Sequence, residues 1–190
     1  MTEKEKMIGG ELYDSRDTEL LNRYSTVRKL LHSFNHEQLI EQDEKKKLLG
    51  KLFGSMCENV WIEAPFFCDY GEQIHIGKNV FINYNCVFLD SNTIRIDDNT
   101  LIGPAVQIYT ATHPLKADAR ITSGGNGTRY LTKSKAVHVK NNCWIGGGVM
   151  VMPGVTIGEN STIGAGSVVT KSVPANCFAA GNPCNVIKEL

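Results

Sequence analysis

The 190-residue sequence predicts a mainly β fold, a parallel β-helix with an N-terminal α-helical cap segment, on three observations. Between Val137 and Thr170 an aliphatic residue recurs at every sixth position: Val139, Ile145, Val151, Ile157, Ile163 and Val169. Upstream the same step runs through Ile76, Ile82, Phe88 and Ile94, and a second run, displaced by two, through Ile96, Ile102 and Ile108. Glycines follow three of the downstream positions, at Gly146, Gly158 and Gly164. Helices repeat near 3.6 residues and strands alternate in twos, so neither produces this pattern alone. Six is the step of a solenoid of short strands, with one inward side chain per face and a sharp turn between faces. A lone rung cannot bury its apolar column, so rungs must stack.

The displacement between the two upstream runs implies an irregularity near Asn92–Thr93. From Thr110 to Ala136 the hexad is lost, then resumes at Val137. Such a break reads as a loop thrown out of the stack, a place that often carries function. Within it Gly124-Gly125-Asn126-Gly127 is a mobile stretch by composition. Residues 57–73 read as an imperfect first coil with Val60, Ile62 and Phe66-Phe67 inside, and Pro174 ends the rungs. The organisation is therefore 1–56, a helical cap segment; 57–173, the β-helix with its excursion at 110–136; and 174–190, a tail.

The first segment is different material. Thr2-x-x-Glu5 has the form of a capping box opening a short helix that Gly9-Gly10 weakens. Leu20, Tyr24, Val27, Leu31 and Phe34 recur at helical steps and predict an amphipathic helix with one buried face. Asn35-x-x-Gln38 has the spacing to cap a third helix, whose apolar face is Leu48, Leu49, Leu52 and Phe53. Such a segment shields the open first rung. Whether it also walls a pocket is left open by the pattern.

Composition excludes several classes. Lys+Arg and Asp+Glu are equal at 20 each, so nothing argues for nucleic acid or an anionic membrane as partner. No apolar run is long enough to span a bilayer, and the charged N-terminus does not read as a signal peptide. The six cysteines form no C-x-x-C pair, and reduced thiols in a cytoplasmic protein is the expectation.

The solenoid resembles the left-handed β-helix of hexapeptide-repeat acyltransferases, nearest the maltose and galactoside branch of sugar O-acetyltransferases. The residues carrying the resemblance span nearly the whole chain. They are Gly10-Glu11-Leu12-Tyr13, Phe34-Asn35-His36, Asp69-Tyr70-Gly71, Ile76-Gly77-Lys78-Asn79, Tyr109-Thr110-Ala111-Thr112-His113-Pro114, Asn142-Cys143-Trp144-Ile145-Gly146-Gly147, Pro153-Gly154-Val155-Thr156-Ile157-Gly158 and Val168-Val169-Thr170-Lys171. The left hand comes from the resemblance alone; general crossover rules favour the opposite.

The family's catalytic histidine falls on His113. Transfer from a thioester to a hydroxyl needs the hydroxyl proton removed as it attacks, and an imidazole titrating around ~6.5 suits that work near neutral pH. Which ring nitrogen acts, and what orients the other, is open at this stage. A rival reading is a zinc site using His75, His113 and His138. The three lack the closely spaced pair common in such sites, and His75 and His138 each precede an inward residue and should face outward, so no metal is expected.

By resemblance the acceptor contacts are Asp69, Asn83 and the pair Asp90–Ser91, where the carboxylate position follows the maltose-type branch. Near the N-terminus the corresponding contact falls on Asp14 or Ser15. Asn83 also reads as a corner asparagine tolerating left-handed backbone. The implied donor is acetyl-CoA, a co-substrate, contacted by Trp144, Gly147 and Ala165 along the rungs and by Thr170, Lys171, Asn185 and Lys188 toward its phosphates; the family often has arginine in place of Asn185. The segment between Arg120 and Trp144 is longer than in these relatives by about seven residues, where insertions are usually tolerated.

The resemblance implies a cytoplasmic homotrimer that acetylates a hydroxyl of a sugar such as maltose, glucose or a galactoside by direct transfer. The alternatives are an acetyltransferase for a non-sugar hydroxyl, such as an antibiotic or serine, and a non-catalytic or metal-binding β-helix module.

Overall fold

The computed structural model describes residues 1–36, 41–124 and 127–190. Among them three helices precede a triangular solenoid of five complete coils and a sixth begun. The first coil is Ser55–Met56, Trp61–Ile62 and Phe66–Cys68; the second is Ile74–Ile76, Phe81–Ile82 and Cys86–Leu89. The third is Ile94–Ile96, Leu101–Ile102 and Gln107–Tyr109; the fourth is Val137–Val139, Trp144–Ile145 and Met150–Val151. The fifth is Thr156–Ile157, Thr162–Ile163 and Val168–Val169. Corresponding strands of successive coils pair in parallel, which makes three faces. The rungs do not end at Pro174: Val173 bridges Ile157, Cys177–Ala180 joins the second face, and Asn185–Glu189 folds back antiparallel on it.

Every member of the hexad columns is buried. Each such side chain contributes about 1.5–3 kcal/mol over an exposed one. Phe67 is a correction. It points outward, while Phe66 and Cys68 face the core, because alternate residues of a strand lie on opposite sides.

One corner of the triangle is an asparagine ladder. Asn59, Asn79, Asn99, Asn142, Asn160 and Asn176 all adopt positive φ, between 54° and 58°. Their amides bond in series from coil to coil at 2.9–3.1 Å, each Nδ2 donating to the next Oδ1. Asparagine tolerates this left-handed turn, and the ladder satisfies its amide. Asn83 is not one of these; the left-handed residues flanking it are Asn79 and Asn85.

The ladder also measures the coils. Successive rungs are 20, 20, 43, 18 and 16 residues apart. Three hexads fill the 18-residue coil. The extra residues of the longer coils gather at the corner leading from the third face to the next coil, at 69–73, 90–93 and 110–136. The irregularity expected near Asn92–Thr93 is the middle one.

The excursion at 110–136 is not irregular. Ala111–Thr112, Ile121–Gly124 and Gly127–Ser134 form an antiparallel sheet with Tyr13–Asp14 of the N-terminal segment, and Gly127–Ser134 is its hub. Ala117–Ala119 is a short 3₁₀ turn. Gly125 and Asn126, part of the stretch expected to be mobile, lie outside the described residues.

Helix α1 (Glu3–Gly9) opens with the expected reciprocal box between Thr2 and Glu5 and ends at Gly10 with φ 76°. Helix α2 (Thr18–His36) buries Leu20, Val27, Leu31 and Phe34. Tyr24 departs from the expected face and is 40% exposed, with the Arg28 guanidinium 4.2 Å from its ring centroid. Helix α3 (Gln42–Leu52) begins after Glu41, with no side-chain cap. Asn35 does not cap it. Its amide both donates to and accepts from the Phe66 backbone at 2.9 Å, tying α2 to the first coil, and Gln38 lies outside the described residues. After α3, Phe53 stacks edge-on against Phe66, which stacks on Phe88, so the cap continues the core column.

The outer surfaces of the faces differ. The first presents Ser55, His75, Arg95, His138 and Thr156 in register. The second presents Trp61, Phe81, Leu101 and Trp144, and the third Phe67, Val87, Gln107, Met150 and Val168. One face is polar and two are largely apolar.

Candidate active site

The lengthened corner, the N-terminal segment and the excursion sheet enclose a pocket of about 330 Å³ lined by Tyr13, Ser15, Leu21, Tyr24, Asp69, Tyr70, Leu89, Ser91, Ala111, His113 and Thr132. The segment 1–56 thus contributes pocket wall as well as packing on the first coil, the alternative that sequence pattern left open.

His113 follows Ala111–Thr112 at the point where the chain leaves the solenoid. Its Nδ1 lies 2.9 Å from the carbonyl oxygen of Leu131, on the hub strand. A carbonyl only accepts, so Nδ1 carries the proton and donates, which leaves the Nε2 lone pair available. Backbone of the excursion sheet therefore selects both tautomer and orientation.

The residues expected to contact the acceptor divide. Asp69, Ser15 and Ser91 line the pocket with His113. Burial raises the Asp69 carboxyl above the ordinary carboxylate range, partly opposed by Arg28, whose Nη2 is 3.5 Å from Oδ1. Asp14 is directed elsewhere. Its Oδ2 is 2.8 Å from Arg129 Nε and its Oδ1 accepts from the Arg16 N–H, so of the neighbours Asp14 and Ser15 it is Ser15 that faces the pocket.

At the Asp90–Ser91 pair the two side chains have different surroundings. Asp90 is fully buried, and its Oδ1 accepts from the backbone N–H groups of Asp69 and Tyr70, 2.9 Å each. Burial pushes this carboxyl up to about 7, against the opposing effect of those hydrogen bonds. It braces the turn that carries Asp69, which Gly71 continues; a Cβ on Gly71 would lie 2.3 Å from the Leu52 carbonyl. Ser91 faces the pocket and partners the buried Tyr13 hydroxyl, as does Thr132. Asn83 is not brought to this pocket. It lies at the corner between the second and third faces, stacked on Ile102–Gly103, and its Oδ1 accepts from the Tyr84 N–H at 2.8 Å.

The residues expected to hold the donor do not line this pocket either. Trp144 projects from the second face, 56% exposed. Gly147 and Ala165 occupy the corner with Asn83, where rungs approach closely; a Cβ on Gly146 would fall 2.6 Å from the Ala165 nitrogen. This bare edge and its backbone groups suit an extended chain; Thr170 and Lys171 follow the last strand of the third face, Asn185 and Lys188 lie on the antiparallel strand of the second, and both lysines are exposed.

His75 and His138 face outward. His75 Nδ1 is 2.9 Å from Ser55 Oγ, and His138 Nε2 is 2.7 Å from Asp97. All six cysteines are free thiols, and burial raises Cys68, Cys143 and, to about 11, Cys86, which keeps them protonated. Among the described residues no helix is long and apolar enough to cross a membrane.

Sequence reasoning missed the Leu131 carbonyl, which has no residue-type signature, and Thr132 with Tyr13. Asn126-Gly127 between two β-prone runs is a hairpin signal that could have found the strands holding them.

Residues 136–171 match the family description "Bacterial transferase hexapeptide (six repeats)", and residues 6–56 match "Maltose acetyltransferase hexapeptide capping motif". The galactoside O-acetyltransferase of Escherichia coli is 39% identical over 98% of this chain and 88% of its own length. A maltose O-acetyltransferase from Clostridium difficile superposes with a TM-score of 0.91 at 46% identity, covering 100% of this chain and 98% of that one. A hexapeptide-repeat acetyltransferase from Vibrio cholerae, solved with acetyl-CoA, superposes at 0.89 with 36% identity, over 100% and 99%. Fold, cap and full-length similarity agree: the chain belongs to the hexapeptide-repeat acetyltransferases of the maltose and galactoside type, and is an acyltransferase.

Proposed function

We propose that the chain transfers an acetyl group from acetyl-CoA to a sugar hydroxyl, with His113 as general base. The observation that carries this is the Leu131 carbonyl holding His113 Nδ1–H at the rim of a pocket whose other polar groups, Ser15, Asp69 and Ser91, can bond several hydroxyls at once. Nε2 removes the proton of the acceptor hydroxyl as its oxygen attacks the thioester carbonyl. The C–S bond then breaks, and the proton held on Nε2 passes to the departing thiolate. Acetyl-CoA supplies the activated acetyl group; Trp144, Gly147, Ala165, Thr170, Lys171, Asn185 and Lys188 are proposed to hold it. No metal and no acyl-enzyme is required, and the raised thiols offer no ready nucleophile.

The active unit is proposed to be a homotrimer. Two apolar outer faces support this, as does the position of Asn83, Gly147 and Ala165 at a different corner from His113. In a ring of subunits, that corner of one copy can approach the His113 corner of its neighbour. A cytoplasmic location is proposed on the free thiols.

The test is CoA release from acetyl-CoA with glucose, maltose, a thiogalactoside, serine and chloramphenicol. Sugar-dependent release that falls by about 10²–10⁴-fold in His113→Ala is expected. Undiminished release in that variant would remove the base, and release with only a non-sugar would replace the acceptor.

A further inference from the structure

Arg28 stands behind the pocket wall and touches two of the residues that form it. Its guanidinium carbon lies 4.2 Å from the centroid of the Tyr24 ring, and its Nη2 lies 3.5 Å from Asp69 Oδ1. Tyr24 and Asp69 line the pocket, and Arg28 is set back from it. Tyr24 and Arg28 are four residues apart on α2, a spacing that puts them on one side of the helix. Part of the Arg28 side chain reaches solvent, but its Nε is buried and, among the described residues, has no hydrogen-bond partner. A buried N–H without an acceptor costs stability, so stability alone does not explain where this guanidinium sits.

The turn that carries Asp69 has its backbone held by other groups. Asp90 Oδ1 accepts from the N–H groups of Asp69 and Tyr70, and Arg23, earlier on α2, donates to the carbonyls of Tyr70 and Leu52 at 2.9 and 3.0 Å. These bonds leave the Asp69 side chain unheld. Burial works against its charge, and Arg28 is the cation that opposes this. Cys68, Tyr70 and Asp90 face it from the solenoid, Tyr13 from the N-terminal strand and His113 across the pocket. The thiol, the phenols and the second carboxyl supply no positive charge, and Glu72 is paired with Lys4 and Arg23. An ionised carboxylate accepts on both oxygens, which suits a substrate hydroxyl that donates.

We propose that Arg28 is a positioning residue for acceptor recognition: from behind the wall, its guanidinium fixes the Asp69 carboxylate as a hydrogen-bond acceptor for a substrate hydroxyl and sets the Tyr24 ring beside it. The inference rests on the acetyl transfer to a sugar hydroxyl proposed above. Arg28 touches neither substrate nor reacting atoms, so its effect is read in acceptor binding. Without it, burial of Asp69 goes unopposed, and on acidification the carboxylate is lost at a higher pH.

The experiment measures kcat, KM for maltose and KM for acetyl-CoA between about pH 5 and 8 in the wild type, Arg28→Met, Arg28→Lys and Asp69→Asn. Arg28→Met is expected to raise KM for maltose by about 10–100-fold, the scale of one hydrogen bond to a charged group, with kcat and KM for acetyl-CoA nearly unchanged. The rise of KM for maltose on acidification should begin at a higher pH than in the wild type. Arg28→Lys, which keeps the charge, should recover most of both effects. Arg28→Met should add little once Asp69→Asn is present. The shift should persist with Asp90→Asn, which separates Asp69 from the neighbouring carboxyl. An unmoved KM for maltose and pH dependence in folded Arg28→Met, or an equal loss in the Asp69→Asn background, overturns the role. Arg28→Gln repeats the reading if Arg28→Met does not fold; failure of both neutral variants and of Arg28→Lys to fold assigns Arg28 to the fold and overturns it as well. A wild type that acetylates only a non-sugar hydroxyl overturns the sugar reading, and the same KM comparison with that acceptor then decides Arg28 by itself.

Discussion

Asp90 and His113 are held through backbone groups that no sequence motif displays. Asp90 gives one carboxyl oxygen to two N–H groups of the preceding coil, and burial raises its titration to about 7. The neutral form is thereby favoured in the folded state. Its stabilising effect is complete below the unfolded carboxylate value near 3.8 and is lost as pH rises through about 7; buried Asp69 shifts in the same direction. Asp97 has a lowered value, and its contribution is instead lost as pH falls below the ordinary carboxylate range. Melting temperature should therefore decline between about pH 4 and 7. Asp90→Asn, which keeps an oxygen for the two N–H groups, should flatten that decline and raise stability at pH 8 by at most a few kcal/mol. Thermal unfolding of both proteins across this range checks it; parallel slopes would mean that Asp90 does not titrate there. The Thr-His-Pro setting marks His113 as a candidate, whereas its tautomer has no mark in the sequence, because the partner is a main-chain oxygen 18 residues away.

The same contrast holds among elements. The hexad columns were readable because each inward position must be apolar whatever its neighbours are, and the structure buries all of them. The asparagine ladder depends on a repeat of one polar residue just before a small inward side chain, as in Asn79-Val80, Asn99-Thr100 and Asn142-Cys143, and the aliphatic count passes over it. Replacing Asn142 tests what it does. Asn142→Ala loses two amide bonds, to Asn99 and Asn160, and puts a Cβ residue without a compensating side chain at φ 58°. A cost of about 2–3 kcal/mol is expected in denaturant unfolding, from lost hydrogen bonds and left-handed strain. Asn142→Gly, relieved of the strain, should lose less; equal losses would assign the whole effect to the amides. The excursion reads as a loop in the sequence because its glycine-rich centre masks the alternation of Ile121–Gly124 and Gly127–Ser134. The pairing of Gly127–Ser134 with Tyr13–Asp14, more than a hundred residues distant in sequence, has no local signal.

For the whole molecule, the distribution of outward side chains argues for self-association. Trp61, Leu101 and Trp144 are 47–56% exposed and stand in one register row with Phe81. Exposed rows of this kind mark contact surfaces. Leu101→Glu should lower the mass seen by light scattering toward 21.0 kDa while leaving the far-ultraviolet dichroism of the solenoid unchanged. If sites are completed between copies, its acetyl transfer should fall in step with dissociation. An unaltered mass would assign assembly to other surfaces.

The gathering of surplus residues at a single corner has one more consequence. From the third coil to the fourth the chain makes a detour, and the strands on either side still pair as though nothing intervened, Ile94 with Val137 and Ile96 with Val139. That corner behaves as a splice point. Material can be exchanged there without re-indexing the columns below or above it, so the pocket wall and the solenoid core can evolve, and be engineered, on separate stretches of the gene.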